Sequence, residues 1–121
     1  MILLMALLLP LSAIKMKADE EDAVMKIPVH NTGGKILSRT LIEIEAYYYG
    51  KMSCIHTSVS VELGEVEIFV TNCSTGETWY DTFDSGLYPQ YALQISGTAG
   101  FYEVVYLTGS GNVYEGSFII D

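Results

Sequence analysis

The sequence predicts an all-β fold, an immunoglobulin-like antiparallel β-sandwich of about seven strands. From residue 40 onward, apolar and polar side chains alternate in one short segment after another, which is typical of half-buried strands. These segments recur at intervals of roughly eight to twelve residues with turn residues between them, as in sandwiches and barrels. No stretch after Ile14 keeps the apolar period of a helix.

The C-terminal segment Gly100–Ile120 gives the strongest single signal. Two runs rich in β-branched and aromatic residues flank a Gly-rich break at 109–112, which indicates a β-hairpin. Tyr102, Val104 and Tyr106 fall on one face of its first strand. Because a lone hairpin is not stable in water, a second sheet must cover this face. The Gly-Phe-Tyr start also predicts a tyrosine corner, in which the Tyr102 hydroxyl bonds to backbone upstream.

Five further strands are predicted between residue 41 and this hairpin. Alternation is clearest in the third of them, where Val66, Ile68 and Val70 share one face. Gly76 lies in a turn whose residues tolerate positive φ. The predicted spans are 41–47, 52–61, 65–71, 78–83 and 91–95, with turns at 47–51, 62–65, 72–77, 84–89 and 96–100.

The N-terminal part divides into a predicted signal peptide, residues 1–18, and a flexible acidic leader, residues 19–39, ahead of the sandwich domain at 40–121. The apolar run up to Ile14 is shorter than the ~20 residues that span a bilayer and suits the core of an export signal. Cleavage is expected after Ala13 or Ala18, and because a basic start is missing, the true start codon is hypothesised to lie upstream. Within the leader, residues 23–39 are interpreted as poorly ordered or as an early edge segment, since Pro28 argues against a central strand.

Charge argues against two classes of partner. The chain carries 6 basic and 15 acidic residues, and cleavage after Ala18 removes Lys15 and Lys17, so the net charge goes from −9 to −11. Nucleic acid and anionic lipid both require basic surface. We therefore expect no nucleic-acid partner. The short apolar run predicts no stable membrane span, and the signal peptide predicts an exported protein that is periplasmic, on the cell surface or secreted.

Several segments together resemble a family of small secreted Bacteroidetes proteins. That family is a domain of unknown function with an immunoglobulin- or fibronectin-like sandwich after a signal peptide. The resemblance covers roughly Leu41 to Asp121 and implies export and a β-sandwich, with no catalytic residues. The segments that carry it are Glu43–Tyr49, Leu63–Asn72, Ser74–Glu77, Ile95–Tyr102 and Tyr114–Phe118.

A looser likeness is to C-terminal sorting domains of secreted Bacteroidetes proteins, which also end in a Gly-x-Tyr hairpin. Those domains follow a large cargo domain, whereas here the domain follows a leader. A sorting role is therefore kept only as an alternative.

The residues that could carry chemistry do not assemble into a recognisable site. His56 and Ser58 share a strand face without an obvious acid to complete a triad, and His30 adjoins a Gly-rich turn. Two cysteines and one nearby histidine fall short of a zinc site. Glu62, Glu65 and Glu67 lack the Asp-rich loop of a calcium site and are interpreted as a solvated rim.

Whether Cys54 and Cys73 form a disulfide depends on how the second and third strands are arranged. A tight hairpin of the second and third strands would place them opposite each other, whereas an immunoglobulin-like sandwich puts these strands in opposite sheets. The bond is therefore possible but not favoured.

The function predicted from the sequence is a non-catalytic binding or interaction module at the cell envelope, with no catalytic, cofactor-binding or metal-ligating residues and no cofactor. This function requires an exposed aromatic patch or an open sheet edge that binds a protein or glycan partner of unknown identity. The alternative is a structural subunit assembled by strand donation, with residues 23–39 ordered as a strand. Candidate aromatic residues, most of them expected in the core or at strand edges, are Tyr47, Tyr48, Tyr49, Trp79, Tyr80, Tyr88 and Tyr91.

Overall fold

A computed structural model describes residues 24–33 and 43–121 of the chain. These residues form nine β-strands and contain no helix. The predicted signal peptide, residues 1–18, lies outside the described residues. The strands are β1 Val24–Ile27, β2 Val29–Gly33, β3 Ile44–Tyr49, β4 Cys54–Val59, β5 Glu65–Asn72, β6 Thr78–Asp84, β7 Gln90–Gln94, β8 Gly100–Thr108 and β9 Val113–Ile120.

The strands form two sheets, and all paired strands within each sheet are antiparallel. The four-stranded sheet has the order β1-β3-β4-β7, and the five-stranded sheet has the order β2-β9-β8-β5-β6. Two antiparallel sheets that pack face to face are the architecture of a β-sandwich. The predicted fold class is therefore confirmed, with β1 and β2 added to the seven strands expected from the sequence.

The core lies between the two sheets and consists of the inward-facing members of each alternating strand. Val66, Ile68 and Val70 of β5 are fully buried, and burial of each such side chain contributes about 1.5–3 kcal/mol. The hydroxyls of Thr57 and Tyr106, one from each sheet, are hydrogen bonded at 2.6 Å in the centre of the core.

The C-terminal hairpin forms as predicted and supplies much of that core. β8 and β9 pair in register along their length, and the ring of Phe118 stacks on Tyr102 at 4.9 Å and on Tyr48 of the opposite sheet at 5.3 Å. The Tyr102 hydroxyl donates to the carbonyl of Thr98 at 2.5 Å. The predicted tyrosine corner is thus confirmed.

Residues 24–33, called the arm below, pair with both sheets. β1 lies along β3 and β2 lies along β9, with Pro28, which has no N–H to donate, where the chain changes sheet. Ile27 is 1% exposed and anchors the arm between the sheets. Of the two possibilities that the sequence leaves open for residues 23–39, the arm takes the edge strand.

Glycine 116 explains how the arm crosses from one sheet to the other. A Cβ atom at Gly116 would lie 2.5 Å from the carbonyl oxygen of Pro28 and 3.1 Å from the side chains of Ile27 and Val29. Backbone atoms cannot approach a larger residue so closely. The missing side chain therefore leaves the space through which the arm passes.

One turn lies later than the sequence predicts. The sequence predicts a turn at 47–51 that includes Tyr47, Tyr48 and Tyr49, but β3 continues through Tyr49 and the turn follows, with Ser53 at a φ of 52°. The reason is packing: Tyr48 is buried against Phe118, and this contact extends the alternating pattern of β3 to its end.

Candidate binding surface

The outward face of the five-stranded sheet carries several exposed apolar side chains. Strand register places Tyr80, Phe69 and Val105 side by side across β6, β5 and β8. The rings of Phe69 and Tyr80 are 4.9 Å apart, and their side chains are 38% and 56% exposed. Leu107, two residues after Val105 on the same face of β8, is also exposed.

A second, smaller apolar group lies further along the same face. Phe101 and Ile119 are direct cross-strand partners on β8 and β9, and both are exposed. Between the two groups runs a polar row formed by Thr71, Glu103 and Ser117. We call the whole surface the outer face; its members are Tyr80, Phe69, Val105, Leu107, Phe101 and Ile119, with this polar row between them.

A depression of about 310 Å³ opens on the outer face between these groups. Its lining residues include Phe101, Val105, Glu103 and Glu115, together with His30 from the arm. Glu115 faces Val105 across β8 and β9 and faces His30 across β9 and β2. The depression therefore combines apolar walls with acidic groups, which suits an apolar ligand that also carries positive charge.

The local electrostatics of the outer face are acidic. Desolvation, followed by the carboxylates of Glu67, Glu65 and Asp81, raises the pKa of Tyr80. Desolvation and Glu103 likewise raise the pKa of the exposed thiol of Cys73. Cys73 is thus held as a neutral thiol, the opposite of the activated thiolate that cysteine chemistry requires.

The structure separates the aromatic residues that the sequence grouped together. Only Tyr80 lies on the outer face. Trp79 points inward and stacks on Tyr102 at 6.1 Å, and Tyr48 lies in the core, so the expectation of core packing is confirmed for these two. Tyr88 is exposed in the loop between β6 and β7.

Tyr91 bridges the two sheets at the side opposite the arm. Its ring stacks on Phe83 at 4.6 Å and its hydroxyl donates to Asp81. This hydrogen bond is the main cause that raises the pKa of Tyr91, to about 12, and that lowers the pKa of Asp81. Tyr91 therefore closes the gap between β6 and β7 and is engaged within the fold.

The residues considered for catalysis lie apart. His56 and Ser58 face outward on β4, where the His56 ring packs against Tyr49 at 5.7 Å and Ser58 faces Glu45 in register. His30 lies on the other sheet, in β2. The geometry therefore brings neither histidine into a triad with the residues considered in the sequence.

The acidic residues near the β4–β5 connection also stay apart. The Glu65 carboxylate accepts from the Thr82 hydroxyl at 3.0 Å, and the Glu62 carboxylate lies beside Gly86. Within residues 24–33 and 43–121, no three His, Cys, Asp or Glu side chains group as metal ligands do. The same residues include no helix that is long and apolar enough to cross a membrane.

Both cysteines are free thiols on different sheets. Cys54 is buried in β4 of the four-stranded sheet, and Cys73 is exposed directly after β5 of the five-stranded sheet. Burial raises the pKa of the Cys54 thiol. The strands lie in opposite sheets, as the sandwich interpretation of the sequence expects.

Comparison with known proteins agrees with the fold. No family model matches the chain, and no curated protein matches it. Among solved structures, it is similar to a DUF3244 family protein from Bacteroides vulgatus ATCC 8482 with an immunoglobulin-like β-sandwich fold, at a TM-score of 0.64 and 11% identity over 82% of this chain and 100% of the other. The chain therefore has the immunoglobulin-like β-sandwich fold that its sequence predicts, in a form shared with a Bacteroides protein of the kind that the sequence resembles.

Proposed function

We propose that this protein is a non-catalytic binding module of the cell envelope and that its binding surface is the outer face. The observation that carries the proposal is the pair of exposed apolar groups, Tyr80–Phe69–Val105–Leu107 and Phe101–Ile119. Apolar patches on a soluble domain commonly mark interaction sites. Placing them on a rigid sheet reduces the ordering cost of binding.

The partner is a protein segment with both apolar and basic side chains. Its apolar residues contact the two apolar groups, and a basic residue between them lies over the depression beside Glu103 and Glu115. A net charge of −9 favours the approach of a basic partner over long distances.

Binding of defined peptides to the full chain tests this proposal. The probe is a short synthetic peptide of alternating leucine and lysine. One control peptide replaces lysine with glutamate, and a second replaces leucine with serine. Chemical-shift mapping should show the leucine–lysine peptide binding most tightly, with shifts confined to the outer face on β5, β6, β8 and β9 and to His30 on β2, and its affinity should fall as salt rises.

Single variants locate the surface. Phe69→Ser and Phe101→Ser should each weaken binding severalfold, and Glu103→Gln should reduce the salt dependence. Leu87→Ser is the matched control, because Leu87 is 72% exposed but lies in the loop after β6. Equal binding of the lysine and glutamate peptides, or equal effects of Phe69→Ser and Leu87→Ser, would contradict the proposal.

Export is part of the proposal and rests on the apolar leader and on the resemblance to secreted Bacteroidetes proteins. Its test is the intact mass of the protein isolated from the envelope of the cells that produce it. The expected mass corresponds to cleavage after Ala13 or Ala18, and recovery from the cytoplasm with residues 1–18 intact would contradict export. Strand donation and sorting stay predictions, and the arm pairs with its own chain.

A further inference from the structure

β6 is one of the two outermost strands of the five-stranded sheet, and among residues 24–33 and 43–121 no strand pairs with its outer edge. Alternate residues of β6 form the hydrogen bonds to β5. The bonds at the two ends of the pairing show which residues these are: the Asn72 N–H donates to the Glu77 carbonyl at 2.8 Å, and the Ser85 N–H donates to the Gly64 carbonyl at 2.9 Å. In an antiparallel ladder, the residues between these pairs direct their backbone groups away from the partner strand. Thr78, Tyr80 and Thr82 therefore present backbone groups outward at the sheet edge.

This edge lacks three of the devices that prevent strand pairing. It has a fourth, an inward-facing charge at Asp81, whose carboxylate accepts from the Tyr91 hydroxyl within the chain. Lysine, proline and bulges commonly protect edge strands, but residues 78–84 contain no lysine or proline and pair with β5 without a register shift. Two backbone groups on the outer edge of β6 already have hydrogen-bond partners within the chain. The Thr82 N–H donates to the Asp81 carboxylate at 2.8 Å, and the Asp84 carbonyl accepts from Tyr88 N–H at 2.8 Å. Further pairing is thereby limited to residues 78–82.

The sequence of this edge is self-complementary. Residues 78–82 read Thr-Trp-Tyr-Asp-Thr, so an antiparallel copy centred on Tyr80 places Tyr80 opposite Tyr80 and Thr78 opposite Thr82. Thr–Thr and aromatic cross-strand pairs are favourable. Asp81 faces Trp79 of the other copy, so no two carboxylates oppose each other in this register.

We propose that β6 pairs with β6 of a second copy of this chain about a two-fold axis at Tyr80. The Tyr80 backbone groups of the two copies bond reciprocally, and each Thr78 N–H donates to the Thr82 carbonyl of the other copy. The pairing joins two five-stranded sheets into one. It is isologous, as most homodimer interfaces are, and it brings the Tyr80–Phe69 groups of the two outer faces together. It depends on the edge alone and not on the proposed peptide partner.

Disulfide trapping in the full chain tests both the pairing and its register. In a Cys73→Ser background, Tyr80→Cys places two thiols in a directly opposed pair. Such pairs have Cα atoms about 5.5 Å apart, within the roughly 4.4–6.8 Å of disulfides. We expect a cross-linked homodimer to form severalfold faster than with Leu87→Cys, an exposed control on the loop.

The register is tested by mixing. Thr78→Cys and Thr82→Cys should each cross-link poorly alone but well when mixed, because residue 78 opposes residue 82 of the other copy. Cross-linking of the mixture at the rate of the separate variants, or of Tyr80→Cys at the rate of Leu87→Cys, would overturn the proposal.

Sedimentation equilibrium of the unmodified chain gives an independent readout. Because both copies are acidic, added salt should strengthen dimerisation, whereas it should weaken binding of the leucine–lysine peptide. Tyr80→Lys should weaken the dimer severalfold by placing like charges opposite each other, and Phe101→Lys should not. A monomer at all concentrations and salt levels would overturn the proposal and leave the peptide-binding proposal to its own test.

Discussion

The two sheets are joined in different ways along the two long sides of the sandwich. On one side, a single continuous arm supplies the edge strands of both sheets, β1 and β2, with Ile27 buried between them and Gly116 making room for the crossing. On the other side, β6 and β7 are both edge strands, and the contacts of Tyr91 with Phe83 and Asp81 join them. One continuous segment that pairs with both sheets therefore joins them on the first side, while side chains join them on the second.

The comparison separates stability from function. All four terminal strands are sheet edges, and lysine on an edge hinders pairing with another chain. β1 carries Lys26, whereas residues 78–84 of β6 contain no lysine. The open edge also adjoins the outer face, because Tyr80 belongs to both. Loss of arm contacts should therefore reduce stability, and changes at β6 and the outer face should alter association with little effect on folding.

The largest effect is expected from removing the anchor of the arm. Ile27→Ala should lower the free energy of unfolding by about 2–4 kcal/mol, because it deletes buried apolar volume and leaves a cavity between the sheets. Met25→Ala is the matched control, since Met25 lies on the same arm and is 39% exposed; its effect should stay within about 0.5 kcal/mol. Chemical denaturation measures both, and equal effects would contradict the anchoring role.

A smaller effect is expected from filling the space under the arm. Gly116→Ala should cost about 1–3 kcal/mol, because the new methyl group meets the Pro28 carbonyl and forces the arm outward. Amide exchange should rise in β1 and β2 and stay unchanged in β5 and β6. Ser117→Ala, at the neighbouring exposed position, serves as the control, and unaltered exchange in the arm of Gly116→Ala would show that the space has another use.

The smallest effect is expected on the open side. Tyr91→Phe keeps the stacking on Phe83 but removes the hydrogen bond to Asp81, and it should cost at most about 1 kcal/mol because both groups are partly exposed.

The pH dependence of this cost follows from the two pKa shifts. The contribution of Tyr91 is present below its ordinary pKa of 10.0 and is lost as pH rises through about 12. That of Asp81 is present above its ordinary pKa of 3.8 and is lost as pH falls through its lowered value. The stability difference between Tyr91→Phe and the unaltered chain should therefore be largest between these limits. A difference that stays constant into strong acid and alkali would contradict the bond.

The sequence was sufficient for the fold because most of its strands bury alternate residues. Val66, Ile68 and Val70, and the tyrosine corner at Tyr102, carry patterns that sheet geometry reads directly. The arm carries no such pattern: only Ile27 of β1 is buried, and the passage to the second sheet depends on Gly116, some ninety residues away. Local sequence does not encode that contact.

The candidate surface was only partly predictable for a similar reason. The sequence predicts an exposed aromatic patch, but the seven aromatic residues proposed for it do not lie on one face of the fold. Of these seven, only Tyr80 lies on the outer face. Phe69, Val105 and Leu107 were missed, although β5 and β8 carry apolar residues on both faces. That pattern was the available signal, but it is also typical of a strand covered on both sides, so it does not distinguish an exposed patch from a buried one.

Amide hydrogen exchange at two protein concentrations tests the contrast between the two sides most directly. Ladder alternation directs the amides of Met25, Ile27 and His30 to neighbouring strands, and we expect them to be protected at both concentrations. The Thr78 and Tyr80 amides should exchange freely in dilute solution and become protected when the protein is concentrated. Unprotected amides at Met25, Ile27 and His30 would contradict the pairing of the arm with both sheets, and protection of Thr78 and Tyr80 in dilute solution would contradict an open edge at β6.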